Sequence, residues 1–435
     1  MIALIQAGGA GTRLKEITGD LPKPMVPICG KPILEHQLES LIRGGVDRFY
    51  MVVSQSQTAI QDYFGDGKKW GVSISYIVED QPLGTAGALY YFAKECHEDF
   101  FLVFGDLMLD VSWQKFYAFH KKHRGLLTTF AHPNSHPYDS DVLLVDDFDR
   151  LVTVFSKKEP RDFYYRNLTN AGLYVVSKRL LATFKDMDEP IKMDFEKEIL
   201  IPSVPTASVY AYRSSEYVKD CGTPDRYEAV TRDCKNGVIS AKNLQNPQKC
   251  IFLDRDGTIN RFGDFVKRAD QMELLPTSGK AIARINDSPY LAICITNQPV
   301  IARGETSVPE LTEIHNKMET LLGQEGSYLN DLYYCPHHPD KGFPGERPEY
   351  KIVCDCRKPK IGMLLQAKEK YNIDLSASWF VGDTCQDVQT GINAGCRTVL
   401  LTGGDPNPRA KYGDAKPDYT CENLEQAVEY ILSQQ

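Results

Sequence analysis

The sequence predicts an α/β protein with two domains, each built on a mostly parallel sheet. Apolar segments of strand length alternate with helical segments in both halves of the 435-residue chain, which is the pattern of βαβ units. The alternation stops across the polar residues 232–249 and begins again at Cys250. The length fits two or three domains at roughly 150 residues each. We therefore expect one domain at residues 1–240 and a second at residues 246–435.

The first half supplies the elements of the first sheet in order. Short apolar segments predict strands at residues 2–7, 49–54, 74–79 and 99–106. Helical periodicity predicts a helix at residues 33–45, which ends on glycines, and another at residues 84–96. Strands that are joined by helices in this way run parallel, so we expect a Rossmann-like layered domain.

The second half repeats this arrangement around three strands whose ends are polar. Strands are predicted from Cys250, at residues 290–297 and at residues 377–383, and each runs into a cluster of polar side chains. Ligands of open α/β sheets bind beyond the carboxyl ends of the strands. The three polar clusters therefore predict one composite site in a second Rossmann-like domain.

Composition excludes several classes of partner. The chain has 50 basic and 58 acidic residues and a net charge of −8, whereas a polyanion binder needs a basic surplus. No apolar run approaches the ~20 residues of a membrane helix, and the N-terminus lacks the features of a secretory signal. We expect a cytoplasmic protein without nucleic-acid or membrane partners, whose 12 cysteines are reduced. The sequence does not indicate the oligomeric state.

The loop after the first strand has the composition of a phosphate-binding loop. Gly8, Gly9 and Gly11 let backbone N–H groups approach phosphates closely. Thr12 adds a hydroxyl and Arg13 adds a fixed cation. The spacing matches neither GxxxxGK[ST] nor GxGxxG. Taken alone, the loop is equally compatible with a tight turn between a strand and a helix.

Four further residues give this loop a chemical context. Lys23 lies in LPKPMVP, where prolines stiffen the chain that carries the cation, and Gly84 lies in a second glycine-rich loop, QPLGTAG. Asp106 ends an apolar strand and Asp220 lies in VKDCGTPDRY. Two carboxylates near phosphates are a usual way to hold Mg²⁺. The set predicts a nucleotide site with magnesium bound by Asp106 and Asp220.

In their order, GGAGTRL, PKPM, PLGTAGAL, FGD, NAGLYVV and KDCGTPDRY resemble the sugar-1-phosphate nucleotidyltransferase family over about residues 1–230. The resemblance implies the nucleotidyltransferase fold and transfer of a nucleotidyl group from an NTP to a sugar 1-phosphate, with release of pyrophosphate. Such chemistry depends on positioning and electrostatics. The resemblance assigns nucleotide and phosphate binding to Gly8, Gly9, Gly11 and Thr12, charge neutralisation to Arg13 and Lys23, and Mg²⁺ binding to Asp106 and Asp220.

The same resemblance places the sugar beside a second group of residues. Asn170 and Gly172, together with Glu196, would line the sugar side. Lys158 fills a lysine position of the family, but Lys157 stands where the family often has glutamate. This departure bears on which sugar is bound.

The segment LDRDGTIN predicts a phosphatase site. A bare pair of acids is more often a solvated loop, but DRDGT after an apolar strand is far more specific. Asp254 can attack phosphorus, and Asp256 can exchange a proton with the leaving oxygen. Other groups would bind phosphate or metal: Thr296 and Asn297 as donors, Arg357 and Lys358 as cations, and Asp254, Asp256 and Asp383 as Mg²⁺ ligands, with Asp387 as a supporting acid.

A cluster of cysteine and histidine predicts a zinc site. Cys335, His337, Cys354 and Cys356 supply enough sulfur and nitrogen ligands for a tetrahedral shell, and His338 is an alternative to His337. Four protein ligands leave no open position, so we expect a structural zinc that orders the loop leading to Arg357 and Lys358. A cluster without metal is the alternative.

DRDGTIN, TNQ, CPHH, CDCRKP and VGD together resemble the haloacid dehalogenase (HAD) phosphatases over about residues 249–432. The zinc loop is similar to that of the D-glycero-D-manno-heptose 1,7-bisphosphate 7-phosphatases, and histidinol-phosphate phosphatases share much of the pattern. Pro299 and Val300 after TNQ, and Thr384 after Asp383, depart from it.

The two resemblances together imply consecutive reactions on one chain. The second domain would remove the 7-phosphate of heptose 1,7-bisphosphate, and the first would transfer GMP from GTP to heptose 1-phosphate. The expected partners are thus an NTP and a phosphorylated heptose. ATP is the competing nucleotide, because no residue in the sequence identifies the base. A histidinol-phosphate-type phosphatase fused to another transferase, and a regulatory or scaffolding protein with one inactive half, are the other hypotheses.

Overall fold

The computed structural model describes residues 1–8, 19, 21–55, 58–262, 265–403, 413 and 415–434. The chain forms two compact units. The first unit comprises Met1–His132, Leu143–Phe155 and Asn170–Asn243. The second comprises Leu244–Gln435 together with two earlier segments, Pro133–Val142 and Ser156–Thr169. The predicted bounds, 1–240 and 246–435, place these two segments in the first domain, and those bounds stay a prediction.

Thirteen strands precede residue 244 in the part of the chain that the structure describes. They are β1 (Ile2–Gln6), β2 (Pro27–Ile28), β3 (Lys31–Pro32), β4 (Arg48–Ser54), β5 (Ser73–Glu79), β6 (Phe100–Phe104), β7 (Leu107–Asp110), β8 (Leu127–His132), β9 (Val142–Val145), β10 (Leu151–Phe155), β11 (Thr169–Val176), β12 (Val209–Arg213) and β13 (Tyr217–Asp220). The predicted strands at 2–7, 49–54, 74–79 and 99–106 correspond to β1, β4, β5 and β6.

The helices of this region are mostly short. They are α1 (Ile33–Arg43), α2 (Ala59–Phe64), α3 (Leu89–Glu95), α4 (Trp113–His123), α5 (Leu181–Lys185), α6 (Ile201–Ser203), α7 (Pro224–Lys235) and α8 (Val238–Ala241). The predicted helix at 84–96 begins only at Leu89. Gly84 has a φ of +78° and pairs with Met193. Because this backbone is left-handed, the helix does not begin at residue 84.

The main sheet of the first unit is mixed. Its strands follow the order β10-β9-β11-β6-β1-β4-β5, and β8 and β12 extend it beside β11. β1 is parallel to β4 and β6, and β4 is parallel to β5, whereas β11 is antiparallel to β6. The parallel part explains why one set of loops collects beyond the carboxyl ends of β1, β4 and β5.

The second unit carries a fully parallel sheet. Its strands are β14 (Lys249–Leu253), β15 (Tyr290–Asn297), β16 (Asp331–Cys335), β17 (Trp379–Gly382), β18 (Arg397–Leu401) and β19 (Tyr419–Cys421). Their order is β16-β15-β14-β17-β18-β19, and every pair is parallel. The helices are α9 (Ser278–Asn286), α10 (Val308–Gln324), α11 (Gly362–Tyr371), α12 (Cys385–Ala394) and α13 (Leu424–Ser433).

Helices cover both faces of this sheet, because its strands are apolar on both sides. Ile251 and Leu253 of β14 belong to one buried cluster, and Cys250 and Phe252 belong to another. A strand that is buried on both faces is typical of a parallel sheet. The predicted α/β class is therefore confirmed for both halves of the chain.

The segment Ser156–Thr169 packs against α10 and β16 within the second unit. The backbone N–H of Tyr165 donates to Thr320 Oγ1 at 3.0 Å, and that of Asn167 donates to Glu319 Oε2 at 2.7 Å. Arg166 reaches Asp331 Oδ1 at 2.8 Å. Thr320, Glu319 and Asp331 are buried, so these bonds supply partners to buried polar groups of α10 and β16.

Two further features bear on the expectations from the sequence. Cys29 and Cys234 form a disulfide whose Cα atoms are 6.6 Å apart, so the expectation that the cysteines are reduced is wrong for this pair. No helix in the described part of the chain combines the length and the apolar character of a membrane span.

Candidate active sites

The first candidate site lies beyond the carboxyl ends of β1, β4 and β5. Gly8 follows β1, and a Cβ on it would lie 3.6 Å from both the Ser54 nitrogen and Glu79 Oε2. The start of the predicted phosphate loop is therefore packed against the ends of the two neighbouring strands. Gly9, Gly11, Thr12 and Arg13 lie outside the described residues, and their roles stay predictions.

Glu79 is a buried carboxylate at this edge. It is 7% exposed, and Oε1 has no hydrogen-bond partner among the described residues. Burial raises the pKa of Glu79, and an interaction with the Leu83 backbone amide only partly opposes this. A buried carboxylate oxygen without a donor is costly in a folded protein. The arrangement is therefore suited to a ligand that brings hydrogen-bond donors.

The two predicted magnesium ligands of this unit lie close together, Asp106 in the turn before β7 and Asp220 at the end of β13. Asp220 ends β13, which is antiparallel to β7, and the Cys221 N–H donates to the backbone oxygen of Asp106 at 3.1 Å. Lys23 forms an ion pair with Asp106, and Arg226 lies 2.6 Å from Asp220 Oδ2. Each carboxylate thus contacts a cation, and two such oxygens suit a divalent ion. Magnesium binding by this pair stays a prediction.

The predicted sugar side forms a connected polar network. Asn170 donates to the Tyr174 hydroxyl at 2.7 Å and to Glu196 Oε1 at 3.3 Å, and it accepts from Thr129 Oγ1 at 2.8 Å. Gly172 has a φ of +74°. Fixed amide and carboxylate groups of this kind can hydrogen-bond sugar hydroxyls. The structure therefore brings Asn170 and Glu196 together, and the Gly172 N–H donates to Asn170 Oδ1 at 3.3 Å. Their place on the sugar side stays a prediction.

The second candidate site gathers three carboxylates and a lysine at the ends of β14 and β17. Ligand oxygens of Asp254, Asp383 and Asp387 all lie within 4.8 Å of one another. Lys358 Nζ lies 2.7 Å from Asp254 Oδ1 and 2.5 Å from Asp387 Oδ1. Gly257 is required here, because a Cβ on it would overlap the carboxylate of Asp383.

The electrostatics of this cluster favour an added cation. Burial, followed by the charge of Asp387, raises the pKa of Asp254, and burial with the neighbouring acids raises the pKa of Asp383 to about 9. Burial alone would lower the pKa of Lys358, but the charges of Asp254 and Asp387 raise that pKa above its usual value. One ammonium does not balance three carboxylates, and a divalent ion with oxygen ligands would. The donor set therefore fits Mg²⁺.

Asp256 lies apart from the three clustered acids. Its carboxylate accepts from Arg255, from Asn260 Nδ2 at 3.0 Å and from Gln298 Nε2 at 2.9 Å. Burial alone would raise its pKa, but the Arg255 guanidinium holds the pKa of Asp256 below its usual value. The cluster of acids whose oxygens lie within 4.8 Å of one another includes Asp387 with Asp254 and Asp383, and not Asp256. Metal binding by Asp256 stays a prediction.

The predicted phosphate donors and cations surround the same strand ends. Thr296 and Asn297 end β15, and Asn297 Oδ1 accepts from the Lys358 N–H at 3.0 Å. Arg357 donates to the backbone oxygen of His337 at 3.1 Å, which ties the cation to the cysteine–histidine loop. The β15 end and the CRKP loop are therefore joined by hydrogen bonds.

Cys335, His337, Cys354 and Cys356 converge on one point. The Sγ atoms lie 3.1 to 3.5 Å apart, and His337 Nδ1 lies 3.3 Å from Cys356 Sγ and 3.8 Å from Cys335 Sγ. Ligands at normal zinc distances on a tetrahedron are about 3.5–3.8 Å apart. The cluster therefore fits zinc, and it includes His337 rather than His338.

Two families of enzyme match the two halves of the chain. A model of the nucleotidyl transferase family matches residues 2–237, and a model of HAD-hydrolase-like proteins matches residues 355–427. The first spans more than half of the chain, so the chain belongs to the nucleotidyl transferase family. Both predicted activities are confirmed at the level of these families.

Curated relatives identify the second unit more closely. The D-glycero-beta-D-manno-heptose-1,7-bisphosphate 7-phosphatase of Haemophilus ducreyi is 36% identical over 185 residues, which are 42% of this chain and 98% of that protein. The enzyme of the same name from Pasteurella multocida is 39% identical over 179 residues, 41% of this chain and 93% of that protein. The second unit therefore belongs to this phosphatase family, and the resemblance to it is confirmed.

Two solved structures are similar to parts of the chain. The D,D-heptose 1,7-bisphosphate phosphatase of B. bronchiseptica, crystallised with magnesium and phosphate, is 35% identical and covers 43% of this chain and 100% of its own, with a TM-score of 0.38. HddC from Yersinia pseudotuberculosis, crystallised with GMP-PN, is 27% identical and covers 54% of this chain and 99% of its own, with a TM-score of 0.45.

Sequence reasoning missed two residues of these sites. Glu79 ends the apolar segment ISYIVE, and an acid at the end of an apolar strand was its only signal. His315 lies 3.1 Å from the buried Arg255 guanidinium. It lies in the helix α10, far along the chain from every motif, and nothing in the sequence pattern could have identified it.

Proposed function

We propose that this chain catalyses two consecutive steps in the synthesis of a nucleotide-activated heptose. The second unit removes the 7-phosphate of D-glycero-D-manno-heptose 1,7-bisphosphate. The first unit transfers GMP from GTP to the resulting heptose 1-phosphate and releases pyrophosphate. The observation that carries the proposal is that one chain contains both a relative of the heptose bisphosphatases and a nucleotidyltransferase. The substrate class of that nucleotidyltransferase includes the product of the phosphatase.

In the phosphatase, Asp254 acts as the nucleophile. An oxygen of Asp254 attacks the phosphorus of the 7-phosphate, the bond to the C7 oxygen breaks, and Asp256 in its protonated form gives that oxygen a proton. Burial alone would raise the pKa of Asp256, but Arg255 lowers it, which makes Asp256 a stronger acid and lowers the population of the protonated form. Water then attacks the aspartyl phosphate, with Asp256 accepting its proton, and phosphate leaves. Lys358, 2.7 Å from Asp254, orients the nucleophile and offsets charge on the phosphoryl oxygens.

Magnesium fits the acid cluster of Asp254, Asp383 and Asp387, whose oxygens lie within 4.8 Å of one another. When bound, the ion would screen the charge of the phosphoryl group. Asp387 also accepts from the N–H and hydroxyl of Thr384 at 3.1 and 2.5 Å. Thr384 therefore holds the acid in place at the start of α12.

In the transferase, an oxygen of the sugar 1-phosphate attacks the α-phosphorus of GTP, and the bond to the β-phosphate breaks. Lys23 and Arg13 offset the charge that develops on the phosphates. Magnesium held by Asp106 and Asp220 would supply further charge stabilisation. Asn170, which contacts Glu196 and Tyr174, orients the sugar.

The buried carboxylate of Glu79, whose Oε1 has no hydrogen-bond partner among the described residues, supports guanine as the base. Guanine presents a ring N–H and an exocyclic amino group side by side, so that it can donate to both oxygens of one carboxylate. Adenine presents an amino group beside a ring nitrogen that only accepts, and that lone pair would face the carboxylate. A polar site discriminates strongly against a ligand that leaves its groups unpaired. Glu79, buried next to Gly8, therefore favours GTP over ATP.

Zinc in the cluster of Cys335, His337, Cys354 and Cys356 is structural in this proposal. Four protein ligands leave no position for substrate. The ion would fix the loop that carries Arg357, whose side chain bonds the backbone oxygen of His337. Reduced thiols at this cluster, together with nucleotide substrates, favour a cytoplasmic location.

A nucleotide panel tests the proposal. Heptose 1,7-bisphosphate is supplied as the only sugar with GTP, ATP, CTP or UTP, and phosphate, pyrophosphate and sugar nucleotide are measured by mass. We expect GDP-heptose and one phosphate per product. ADP-heptose as the main product would overturn the base assignment, and failure to release phosphate from the bisphosphate would overturn the phosphatase substrate.

Two variants test whether Glu79 determines the choice of base. Glu79→Gln removes the charge and one acceptor, and we expect it to lower kcat/KM for GTP about 100-fold or more and to narrow the preference over ATP. Asp80→Asn is the matched control, because Asp80 is the exposed neighbour of Glu79. An unchanged preference in Glu79→Gln would contradict the role of Glu79.

A further inference from the structure

Arg255 is a fully buried cation between the two acids of the phosphatase motif. Its side chain is 0% exposed. Nε lies 3.2 Å from Asp256 Oδ1, and one terminal nitrogen lies 2.9 Å from each oxygen of the same carboxylate. A buried guanidinium carries five N–H donors and needs partners along all of its edges. Asp256 accounts for only one side of it.

The other side of the guanidinium faces His315. The second terminal nitrogen of Arg255 lies 3.1 Å from His315 Nε2. Arginine can only donate, so His315 Nε2 must accept, and the ring is the neutral tautomer with its proton on Nδ1. Burial, and then the charge of Arg255, lower the pKa of His315 well below its usual value, in agreement with this tautomer.

The helix that carries His315 is a rigid support. The helix α10 begins with a capping box between Ser307 and Glu310, and His315 lies on its buried face with 7% exposure. The imidazole also packs beside Tyr334, with ring centroids 5.5 Å apart. The acceptor that meets Arg255 is therefore fixed by helix packing, and not by the loop that carries Asp254 and Asp256.

We propose that His315 is a positioning residue of the phosphatase. By accepting from Arg255, it sets the guanidinium against Asp256 and so keeps that carboxylate directed at the leaving oxygen. The proposal rests on the phosphatase function inferred above and adds a residue that touches neither substrate nor metal. Asn260 and Gln298 each bond one oxygen of Asp256, whereas Arg255 bonds both.

Because His315 would act through the position of Asp256, its loss should affect one kind of substrate more than another. A mispositioned Asp256 impairs proton transfer to a poor leaving group, such as the alkoxide of a sugar. It matters much less for p-nitrophenolate, which leaves without a proton. A merely structural defect would lower both rates together. The ratio of the two rates therefore separates positioning from folding.

The test compares His315→Phe with His315→Gln in the full chain. Phenylalanine keeps the ring but removes the acceptor, whereas glutamine retains an acceptor oxygen. Each protein is assayed with heptose 1,7-bisphosphate and with p-nitrophenyl phosphate. Glu319→Ala, one turn further along α10, is the structural control, because Glu319 bonds the Asn167 N–H and not Arg255.

We expect His315→Phe to lower kcat for the heptose bisphosphate about 10-fold or more, with KM changed little and a smaller loss for p-nitrophenyl phosphate. His315→Gln should restore most of kcat and the parental ratio of rates. Glu319→Ala should lower the melting temperature without changing that ratio. If His315→Phe fails to fold, a folded His315→Gln protein whose ratio of rates differs from the parental ratio still overturns the proposal.

Two outcomes would overturn the inference. One is a His315→Phe protein that loses both activities equally, and the other is a folded His315→Gln protein whose ratio of rates differs from that of the parent. These outcomes are distinct from a failure of the proposed function. In that case the unsubstituted chain itself would release no phosphate from the heptose bisphosphate.

Discussion

Lys358 Nζ lies 2.7 Å from Asp254 Oδ1, and both side chains are buried. The contact joins a residue that follows the cysteine–histidine cluster to the carboxylate at the end of β14. Lys358 also contacts Asp387 at 2.5 Å, so one ammonium holds two acids at one strand edge. Asp254 is thus kept in place by a cation whose own loop is anchored to the cysteine–histidine cluster.

Replacing the nucleophile should separate the two activities. Asp254→Asn keeps the size of the side chain but removes the charged oxygen that attacks phosphorus. We expect phosphate release from heptose 1,7-bisphosphate to fall to background, while conversion of supplied heptose 1-phosphate to the sugar nucleotide continues. Both are measured by mass on the same protein. Near-parental phosphate release by Asp254→Asn would show that Asp254 is not the nucleophile.

Removing a metal ligand of the transferase should have the opposite effect. Asp106→Ala deletes one of two carboxylates beside the phosphates and frees Lys23, its ion-pair partner. We expect nucleotidyl transfer to fall about 100-fold or more, while phosphate release continues and heptose 1-phosphate accumulates. A folded Asp106→Ala protein that loses both activities would contradict separate sites.

The cysteine–histidine cluster should contribute folding free energy through its metal. Cys354→Ser removes a thiolate that lies 3.5 Å from Cys335 and 3.2 Å from Cys356. We expect less bound zinc and a lower melting temperature of the second unit. Metal analysis of freshly purified, reduced protein provides the measurement, and Cys421→Ser, a buried cysteine outside the cluster, is the control. Parent protein without zinc would refute the assignment.

The charge of Glu79 should make stability depend on pH in the absence of nucleotide. Burial raises the pKa of Glu79 in the folded state. The stability that depends on protonated Glu79 is therefore fully present below the unfolded pKa of about 4.3 and is lost as pH rises through the folded pKa. Glu79→Gln does not titrate. The free energy of unfolding of the Glu79→Gln protein should therefore exceed that of the parent protein by about 1 kcal/mol at pH 8 and by less at pH 5.

Thermal unfolding of both proteins at the two pH values checks this. Saturating GTP should reduce the advantage of the glutamine variant, because the nucleotide stabilises the state that binds it. An advantage of equal size at pH 5 and pH 8 would mean that the carboxylate does not titrate in this range.

The segment Ser156–Thr169 should stabilise the second unit through Arg166. Asp331 is 6% exposed on its side chain and accepts from Arg166, Lys370 and Tyr371. Arg166→Met removes one charged donor from this buried carboxylate and should cost about 1–3 kcal/mol. Lys280→Met is the matched control, since Lys280 pairs with Glu425 while itself 72% exposed, and its loss should cost about 0–1 kcal/mol.

The same contacts bear on separating the two halves. A fragment of residues 246–435 contains the whole acid cluster, so we expect it to release phosphate. It lacks Arg166 and the N–H groups that bond Thr320 and Glu319, and we therefore expect it to melt at a lower temperature than the second unit of the full chain. Equal melting temperatures would show that these contacts do not contribute to stability.

Much of the fold followed from local patterns. Strand burial requires short runs of apolar side chains, which a sequence shows directly. This is why the sequence predicted the apolar segments of β1, β4, β5 and β6 and the polar ends of β14, β15 and β17. Helix starts were less accurate. The helix α3 begins at Leu89 and not at residue 84, since the positive φ of Gly84 depends on its pairing with Met193, far along the chain.

The sequence by itself determined the two chemistries, because each motif carries its reactive groups within a few residues. Asp254 and Asp256 are two positions apart, and the four residues of the cysteine–histidine cluster lie within 22 residues. The tertiary structure alone decided which groups share a site. It placed Asp387 with Asp254 and Asp383, surrounded Asp256 with Arg255, brought His315 to that arginine, and left Glu79 buried beside Gly8. These are contacts between distant segments, and only close packing of the whole chain brings such segments together.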